Sequence, residues 1–577
     1  MIVYRTLVFL ALALVSFALS SATHAGKRPN VLFIAIDDLN DWIGCLAGHP
    51  QAKTPNLDRL AASGILFTNA HCDAPACNPS RTAVFTGISP HRSGLYRNGQ
   101  KMREALPNVE LLPKTFSKAG YWASGSGKML HYFIDARSWD EYFPAKETEN
   151  PFPDTMGPPK RPVSLPRGGP WQYYETDWGP IDATDEEYGG DYSVAEWVGE
   201  RLSKKQDKPF FLACGIYRPH EPWFVPKKYF DAFPLDKIQL PPGYRADDLD
   251  DLSPTAKNLA RNRYFSHIRV HKQWKQGIQG YLASIYFADA MLGRVLDALE
   301  KGPHSDNTIV ALWSDHGWHL GEKEHWQKFT TWRVCSRVPL ILRVPKGAPG
   351  LPDGTRSGVS AKPVNLRSLA PTLLELCGLP PRKAHDGPSL VPLLSNPKAE
   401  WQHVALTHLH YPGSFGLSAE RWRYLHYKDG EEELYDTAND PHEWTNLAGK
   451  DQHRQTLQRL RSLAPKTFAK PVEPKMESLP PLPWKPLAKG EKAPPSKPDG
   501  GTFDVIFVNR SKGKVQLLWM DRAGGRKPYA VIAPGGHYRQ RTRPGAVWMI
   551  AQAEGGAGRP LGYFEVGDRM ARAVVPK

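Results

Sequence analysis

The stretch Val31-Leu32-Phe33-Ile34-Ala35-Ile36-Asp37-Asp38 is an unbroken apolar run that ends on two carboxylates. Without polar alternation, such a run reads as a strand covered on both faces of a parallel sheet. Apolar runs at 122–124, 210–216 and 309–314 repeat the pattern. Helical periodicity at 56–63, 193–202 and 279–299 lies between them. Strands alternating with helices predict an α/β fold, a mainly parallel sheet flanked by helices.

Each run is followed by polar residues. Asp37 and Asp38 follow the first, Lys128 and His131 the second, His220 the third, and Asp315 and His316 the fourth. Ligands of open α/β sheets bind outside the carboxyl ends of the strands, so these scattered residues converge on one edge. Clustered carboxylates repel unless a cation lies among them, and oxygen-rich ligation suits Ca²⁺ or Mg²⁺. Lys128 and Lys328 add fixed positive charge for an anionic group, while His131 and His220 supply acid and base. In the segment Cys77-Asn78-Pro79-Ser80-Arg81 a cysteine precedes a proline turn, then an arginine, then an expected helix start. Its cysteine reads either as a nucleophile at a helix N-terminus or as a half-buried structural thiol. The set as a whole points to hydrolysis of a sulfate or phosphate ester.

Four motifs carry a resemblance. They are Arg28-Pro29-Asn30 through Asp37-Asp38, Cys77-x-Pro79-Ser80-Arg81-x4-Thr86-Gly87, Gly127-Lys128-x2-His131, and Ser314-Asp315-His316-Gly317. Over residues 27–463 the chain resembles the type I sulfatases of the alkaline-phosphatase superfamily. Arg218-Pro219-His220-x-Pro222 and Trp318 through Trp326-x-Lys328 are similar to the iduronate-2-sulfatase-like members. The resemblance implies that Cys77 is oxidised to Cα-formylglycine by a maturation enzyme. It implies that Asp37, Asp38, Asp315, His316 and the modified residue 77 hold Ca²⁺. It further implies that Arg81 holds the aldehyde hydrate, that Lys128 and Lys328 grip sulfate, that His131 contacts the hydrate, and that His220 protonates the leaving alcohol. Lys128, His220, Trp318 and Lys328 are the substrate-binding candidates. The implied substrate is a sulfated oligo- or polysaccharide, with a 2-O-sulfated uronic acid as one candidate unit. A phosphomonoester or phosphonate-ester hydrolase, or a catalytically silent carbohydrate-binding protein, are the alternatives.

Residues 1–25 read as a secretory signal peptide: a cation at Arg5, a short apolar core and a small residue at Ala25. The core is shorter than a bilayer span, which excludes stable membrane insertion and predicts a secreted or periplasmic enzyme. Six cysteines without a C-x-x-C pair exclude a disulfide scaffold. The catalytic domain is assigned to 26–395, a small α+β subdomain to 396–465 and a Pro/Lys-rich linker to 466–500. An all-β module follows at 501–577, where recurrent short β patterns are punctuated by Gly and Pro.

The net charge is +15, and the last 77 residues carry +8 of it. No nucleic-acid-binding signature accompanies that charge, so nucleic acid is excluded as a partner and a sulfated polyanion is the candidate. Residues 502–566 resemble the β domain of the von Hippel–Lindau protein, on Trp519, Tyr529, Pro534-Gly535 and Trp548. Thr542 stands where that domain's hydroxyproline pocket has serine, and Ala546 where it has histidine.

Overall fold

A computed structural model describes residues 28–148, 150–153, 164–166, 176–498, 503–553, 558–567 and 569–577. The signal peptide read at 1–25 lies outside these residues. The central sheet has eight strands: β1 (Asn30–Ile36), β2 (Ile65–Phe67), β3 (Trp122–Gly127), β4 (Glu141–Phe143), β5 (Phe210–Ile216), β6 (Thr308–Ser314), β7 (Leu340–Arg343) and β8 (Gly358–Ser360). Their order is β8-β2-β7-β6-β1-β5-β3-β4. Only β7 runs against the rest; it pairs antiparallel with β6 and β2. The sheet is thus mainly parallel, as its apolar runs predict. Strands β2, β4, β7 and β8 have three or four residues each, too few to show a pattern in the sequence.

Strand β1 sits between β5 and β6, and all seven of its residues are buried. Its alternate side chains enter two different cores. Leu32, Ile34 and Ile36 pack with helices α1 (Pro55–Ala62), α4 (Asp191–Ser203) and α5 (Trp274–Lys301). Val31, Phe33 and Ala35 pack with α2 (Cys77–Thr86), α3 (Leu112–Lys118) and α6 (Leu369–Leu376). Two helical layers therefore explain why the strand shows no polar alternation. Each large apolar side chain so buried contributes about 1.5–3 kcal/mol.

The sheet register positions the site. Ile36 is level with Ile216 on one side and Ser314 on the other. Asp37, Tyr217 and Asp315 consequently leave the sheet at one height. Gly127 pairs with Gly215, which brings Lys128 to the same edge. That approach is close: a Cβ on Gly127, whose φ is +71°, would lie 2.1 Å from the Gly215 carbonyl oxygen.

Strands Ala405–His408, Phe415–Ser418, Trp422–His426 and Glu432–Asp436 form an antiparallel meander. The helix Arg454–Ser462 packs against it through Leu457 and Leu460. The stretch read as a linker is tied along its length. The Ala469 amide bonds to the His91 carbonyl and that of Val472 to Gly94; Lys485–Pro486 pairs with Pro560–Glu565. Beyond it, Phe503–Asn509, His537–Thr542 and Ala571–Val575 form one sheet of a sandwich. The second sheet joins Val515–Met520, Arg526–Ile532, Val547–Gln552 and Pro560–Glu565 to Lys485–Pro486. Phe507, Trp548 and Phe564 fill the space between the sheets, with ring centroids 5.7 and 6.0 Å apart. All six cysteines are free thiols.

The glycine approach predicts a graded response. Gly430 (φ +93°) has nothing within 4 Å of a built Cβ, so Gly430→Ala costs only the left-handed backbone, about 1–2 kcal/mol. Gly127→Ala adds the clash with Gly215 and costs at least about 3 kcal/mol. Urea unfolding of both variants checks this, and equal losses would refute the close-approach account.

Candidate active site

Asp37 and Asp38 end β1, and both side chains are fully buried. Asp38 has φ +57°, a left-handed conformation that Asp tolerates better than most residues. Three contacts hold the turn. The Asp38 amide donates to Asp315 Oδ1 at 3.1 Å, the Leu39 amide to Ser314 Oγ at 3.1 Å, and the Tyr281 hydroxyl to the Asp38 carbonyl at 2.8 Å.

Cys77 is the first residue of α2, and Arg81 lies one turn on, on the same face. Arg81 Nη2 donates to Asp37 Oδ1 and its Nε to Asp315 Oδ2, both at 2.8 Å. The Ser80 hydroxyl donates to the Asp315 carbonyl at 2.6 Å. Lys128 pairs with Asp37 Oδ2, and Lys328 lies 2.9 Å from Asp38 Oδ1. Both lysines also approach Cys77 Sγ, at 3.8 and 3.2 Å. Lys328 sits between Gln327 and Phe329, each in the left-handed region, so its segment is held in place by its surroundings.

Three carboxylates and three permanent cations thus share a buried pocket. Burial works against ionisation of Asp37, but Lys128 and Arg81 overcome it and hold the group well below the usual carboxylate range. Asp38 goes the other way. Burial outweighs Lys328, Asp37 adds repulsion, and the carboxyl is pushed up to about 7. Burial alone would raise the Cys77 thiol; Lys128 and Lys328 reverse that and lower it.

Asp38, Cys77, Asp315 and His316 each offer a donor atom, all within 4.8 Å of one another. His316 Nδ1 lies 3.1 Å from the Gly317 carbonyl, which assigns the ring proton there and turns Nε2 toward the carboxylates. Nε2 stands 3.2 Å from Asp38 Oδ1 and 3.6 Å from Asp315 Oδ2. A nitrogen lone pair facing two carboxylate oxygens needs a positive centre between them. A proton meets that need in part: burial opposes protonation, but Asp315 and other nearby negative groups raise His316 to about 9. Hard oxygen donors, one imidazole and an under-neutralised Asp38 also fit a divalent cation.

The remaining candidates surround this cluster. His220 stacks on Tyr217 with centroids 4.7 Å apart. Its Nδ1–H donates to the Glu221 carbonyl at 2.6 Å, leaving Nε2 facing Asp38 Oδ2 at 3.7 Å. His131 Nδ1 is buried and has no hydrogen-bond partner among the described residues. Burial, with Lys128 and Lys328, pushes both imidazoles well below their usual range. Trp318 is 1% exposed and packs against Trp223, with Lys328 Nζ 5.3 Å from its ring centroid. Its ring thus backs Lys328 rather than forming an open wall. His325 bridges the Lys328 and Ala260 carbonyls.

Sequence reading overlooked Tyr132 and Tyr217, whose ring centroids lie 4.7 and 5.2 Å from Lys128 Nζ. For Tyr217 the signal was available, because it follows β5 at the level where Asp37 follows β1. Tyr281 gave none; it lies in the interior of a long helix.

The model of the sulfatase family matches residues 29–379. That of the N-sulphoglucosamine sulphohydrolase C-terminal region matches 321–467, and that of the VHL beta domain 499–560. A curated sulfatase of Formosa agariphila is 39% identical over 77% of this chain and 87% of its own length. Human iduronate 2-sulfatase is 32% identical over 66% of this chain and 75% of its own. Among solved structures, one in complex with its substrate D-glucosamine-2-N,6-O-disulfate aligns at TM-score 0.59 and 23% identity, covering 76% and 97% of the two chains. The phosphonate monoester hydrolase of Agrobacterium radiobacter aligns at 0.59 and 23%, covering 76% and 95%. At that identity the two structures show a shared fold.

Removing one partner of a buried ion pair leaves an uncompensated charge. Arg81→Gln, which strips two fully buried carboxylates of their guanidinium, is expected to lower the unfolding free energy by about 3–5 kcal/mol. Lys118→Gln, at an exposed pair with Glu110, is expected to cost under about 1 kcal/mol. Denaturant titration of the two variants checks the contrast.

Proposed function

The chain belongs to the sulfatase family and is a sulfuric ester hydrolase, and from that premise we propose an exported, Ca²⁺-dependent enzyme that removes sulfate esters from a sulfated saccharide. The observation that carries this reading is convergence on position 77. Asp38, Asp315 and His316 surround Cys77, and Lys128 and Lys328 both lie within 3.8 Å of its sulfur. The sulfur marks where the oxygens of a formylglycine hydrate would stand after a maturation enzyme acts on Cys77. When in place, that hydrate supplies the oxygen nucleophile and Ca²⁺ supplies charge to polarise sulfate oxygens. Asp37, Asp38, Asp315 and His316, with residue 77, would hold the ion.

The chain's own side chains do the rest. Lys128 and Lys328 pair with Asp37 and Asp38. With a divalent ion held by those carboxylates, both ammonium groups would have charge to direct at sulfate oxygens. Arg81 bonds to both Asp37 and Asp315, and so would fix the ligand geometry. His131, which shares the electrostatic surroundings of Lys128, Lys328 and Asp37, would contact the hydrate, and its buried Nδ1 could take a proton there. His220 presents Nε2 to the pocket while its Nδ1–H stays on the Glu221 carbonyl. A bound sulfate ester counters the two lysines that depress its basicity, so the ring can carry the proton that the leaving oxygen needs. Trp318 acts through Lys328.

Similarity to human iduronate 2-sulfatase, at 32% identity, supports a 2-O-sulfated uronic acid as the unit cleaved. The fold shared with a phosphonate monoester hydrolase keeps phosphoryl esters as the competing substrate class. Rates on paired aryl sulfate and aryl phosphate decide between them; the proposal requires sulfate to be the faster.

Two further outcomes follow. His220→Asn should lower kcat by about 10²–10⁴ on a saccharide sulfate. On a nitrophenyl sulfate, whose phenolate leaves without a proton, the loss should be much smaller; equal losses would remove the acid role. Dialysis against a chelator should abolish turnover and lower the melting temperature. Restoring Ca²⁺ to 100 times its Kd should return about 2.7 kcal/mol of stability, measured by scanning calorimetry.

A further inference from the structure

The β sandwich and the catalytic unit flank an open cavity of about 940 Å³, outside the catalytic cluster. Arg261 and Arg263 line it from the catalytic side, and Arg522, Arg541 and Arg543 from the sandwich. No lining residue among those described is acidic. Aromatic faces lie beside this charge. Trp519 is half-buried and Tyr529 is 48% exposed. Tyr529 is braced edge-on by Trp548 at 4.9 Å, and the Trp548 indole N–H is already bonded to Thr542 Oγ1 at 3.0 Å. Tyr529 is thus braced with an exposed face, and Trp519, with Lys527 Nζ 5.4 Å from its ring centroid, lines the same cavity beside several guanidinium groups.

The cavity wall is also wired to the catalytic lysine. Asn262, between the two catalytic-side arginines, donates through Nδ2 to the Trp326 carbonyl at 2.5 Å. His325 joins the Ala260 carbonyl to that of Lys328. Arg541 reaches the Tyr411 hydroxyl at 3.4 Å; the neighbouring His410 lies 5.1 Å from Phe329, the residue after Lys328.

We propose that this cavity is a second saccharide-binding site that holds a sulfated stretch of the substrate chain away from the bond being cleaved. Arginine forks pair with tetrahedral oxyanions through parallel N–H bonds, and flat aromatic faces cover the C–H face of a pyranose ring. A cavity with both features and no described acid selects an anionic sugar over a neutral one. The inference rests on the sulfatase reading for its choice of ligand. Its test is binding, so the two can fail separately.

The full-length chain carrying Cys77→Ala, which cannot turn over, is titrated calorimetrically with a heparin-derived octasaccharide and with its desulfated counterpart at two salt concentrations. The sulfated probe should bind and the desulfated one should not. Arg541→Glu with Arg543→Glu should weaken binding at least about tenfold and flatten its salt dependence, because ion-paired oxyanions release counterions. Tyr529→Ala should weaken binding with the salt slope unchanged, and its exposed ring makes misfolding a poor explanation. Octasaccharide affinity that is the same in all variants overturns the proposal. So does tighter binding of a single-stranded oligonucleotide or a hydroxyproline peptide. Aryl sulfate hydrolysis by the formylglycine-bearing chain is scored apart. Its absence with octasaccharide binding intact defeats the sulfatase mechanism and leaves the cavity assignment standing.

Discussion

The structure depends on keeping three carboxylates and three cations together, buried from bulk solvent. Asp37, Asp38 and Asp315 meet Arg81, Lys128 and Lys328, and every one of these side chains is at most 8% exposed. Desolvation costs several kcal/mol per ion and is repaid only by good geometry. Sheet register supplies that geometry. It ends β1 and β6 at one level and brings Lys128 alongside through the paired glycines of β3 and β5. The left-handed backbone at Asp38, Gln327 and Phe329 is the local cost of aiming side chains at one point.

The balance is incomplete in an informative way. Arg81 satisfies Asp37 and Asp315 through fixed forks, whereas Asp38 has a flexible lysine and a raised proton affinity. Charge is therefore short at the carboxylate beside Cys77 and His316, the place where the donor set can hold an ion. Stability and site geometry are coupled here: the guanidinium that holds the fold's charged centre together also orients two of its carboxylates.

Much of this was legible in the sequence because it depends on strand ends. The apolar runs at 31–36 and 210–216 fall within or on the observed strands, and each of their polar followers lies at the cluster. Strands of three or four residues were invisible, since their pairing is decided by neighbours far along the chain. Tyr281 was invisible for the same reason: its hydroxyl matters only because α5 crosses behind β1. Trp318 sits near the site in sequence, but its 1% exposure comes from packing on Trp223, which no spacing encodes. The Pro/Lys composition of 466–500 reads as a linker, and its edge pairing at Lys485–Pro486 and backbone bonds at Ala469 and Val472 depend on neighbours that composition does not encode.

The central claim is chemical, and it concerns one side chain. Tandem mass spectrometry of the peptide spanning Cys77, from active protein made in its native cell, reads it directly. The account predicts an aldehyde or its hydrate at position 77 in the active fraction. A free thiol there, in protein that still hydrolyses sulfate esters, would contradict it.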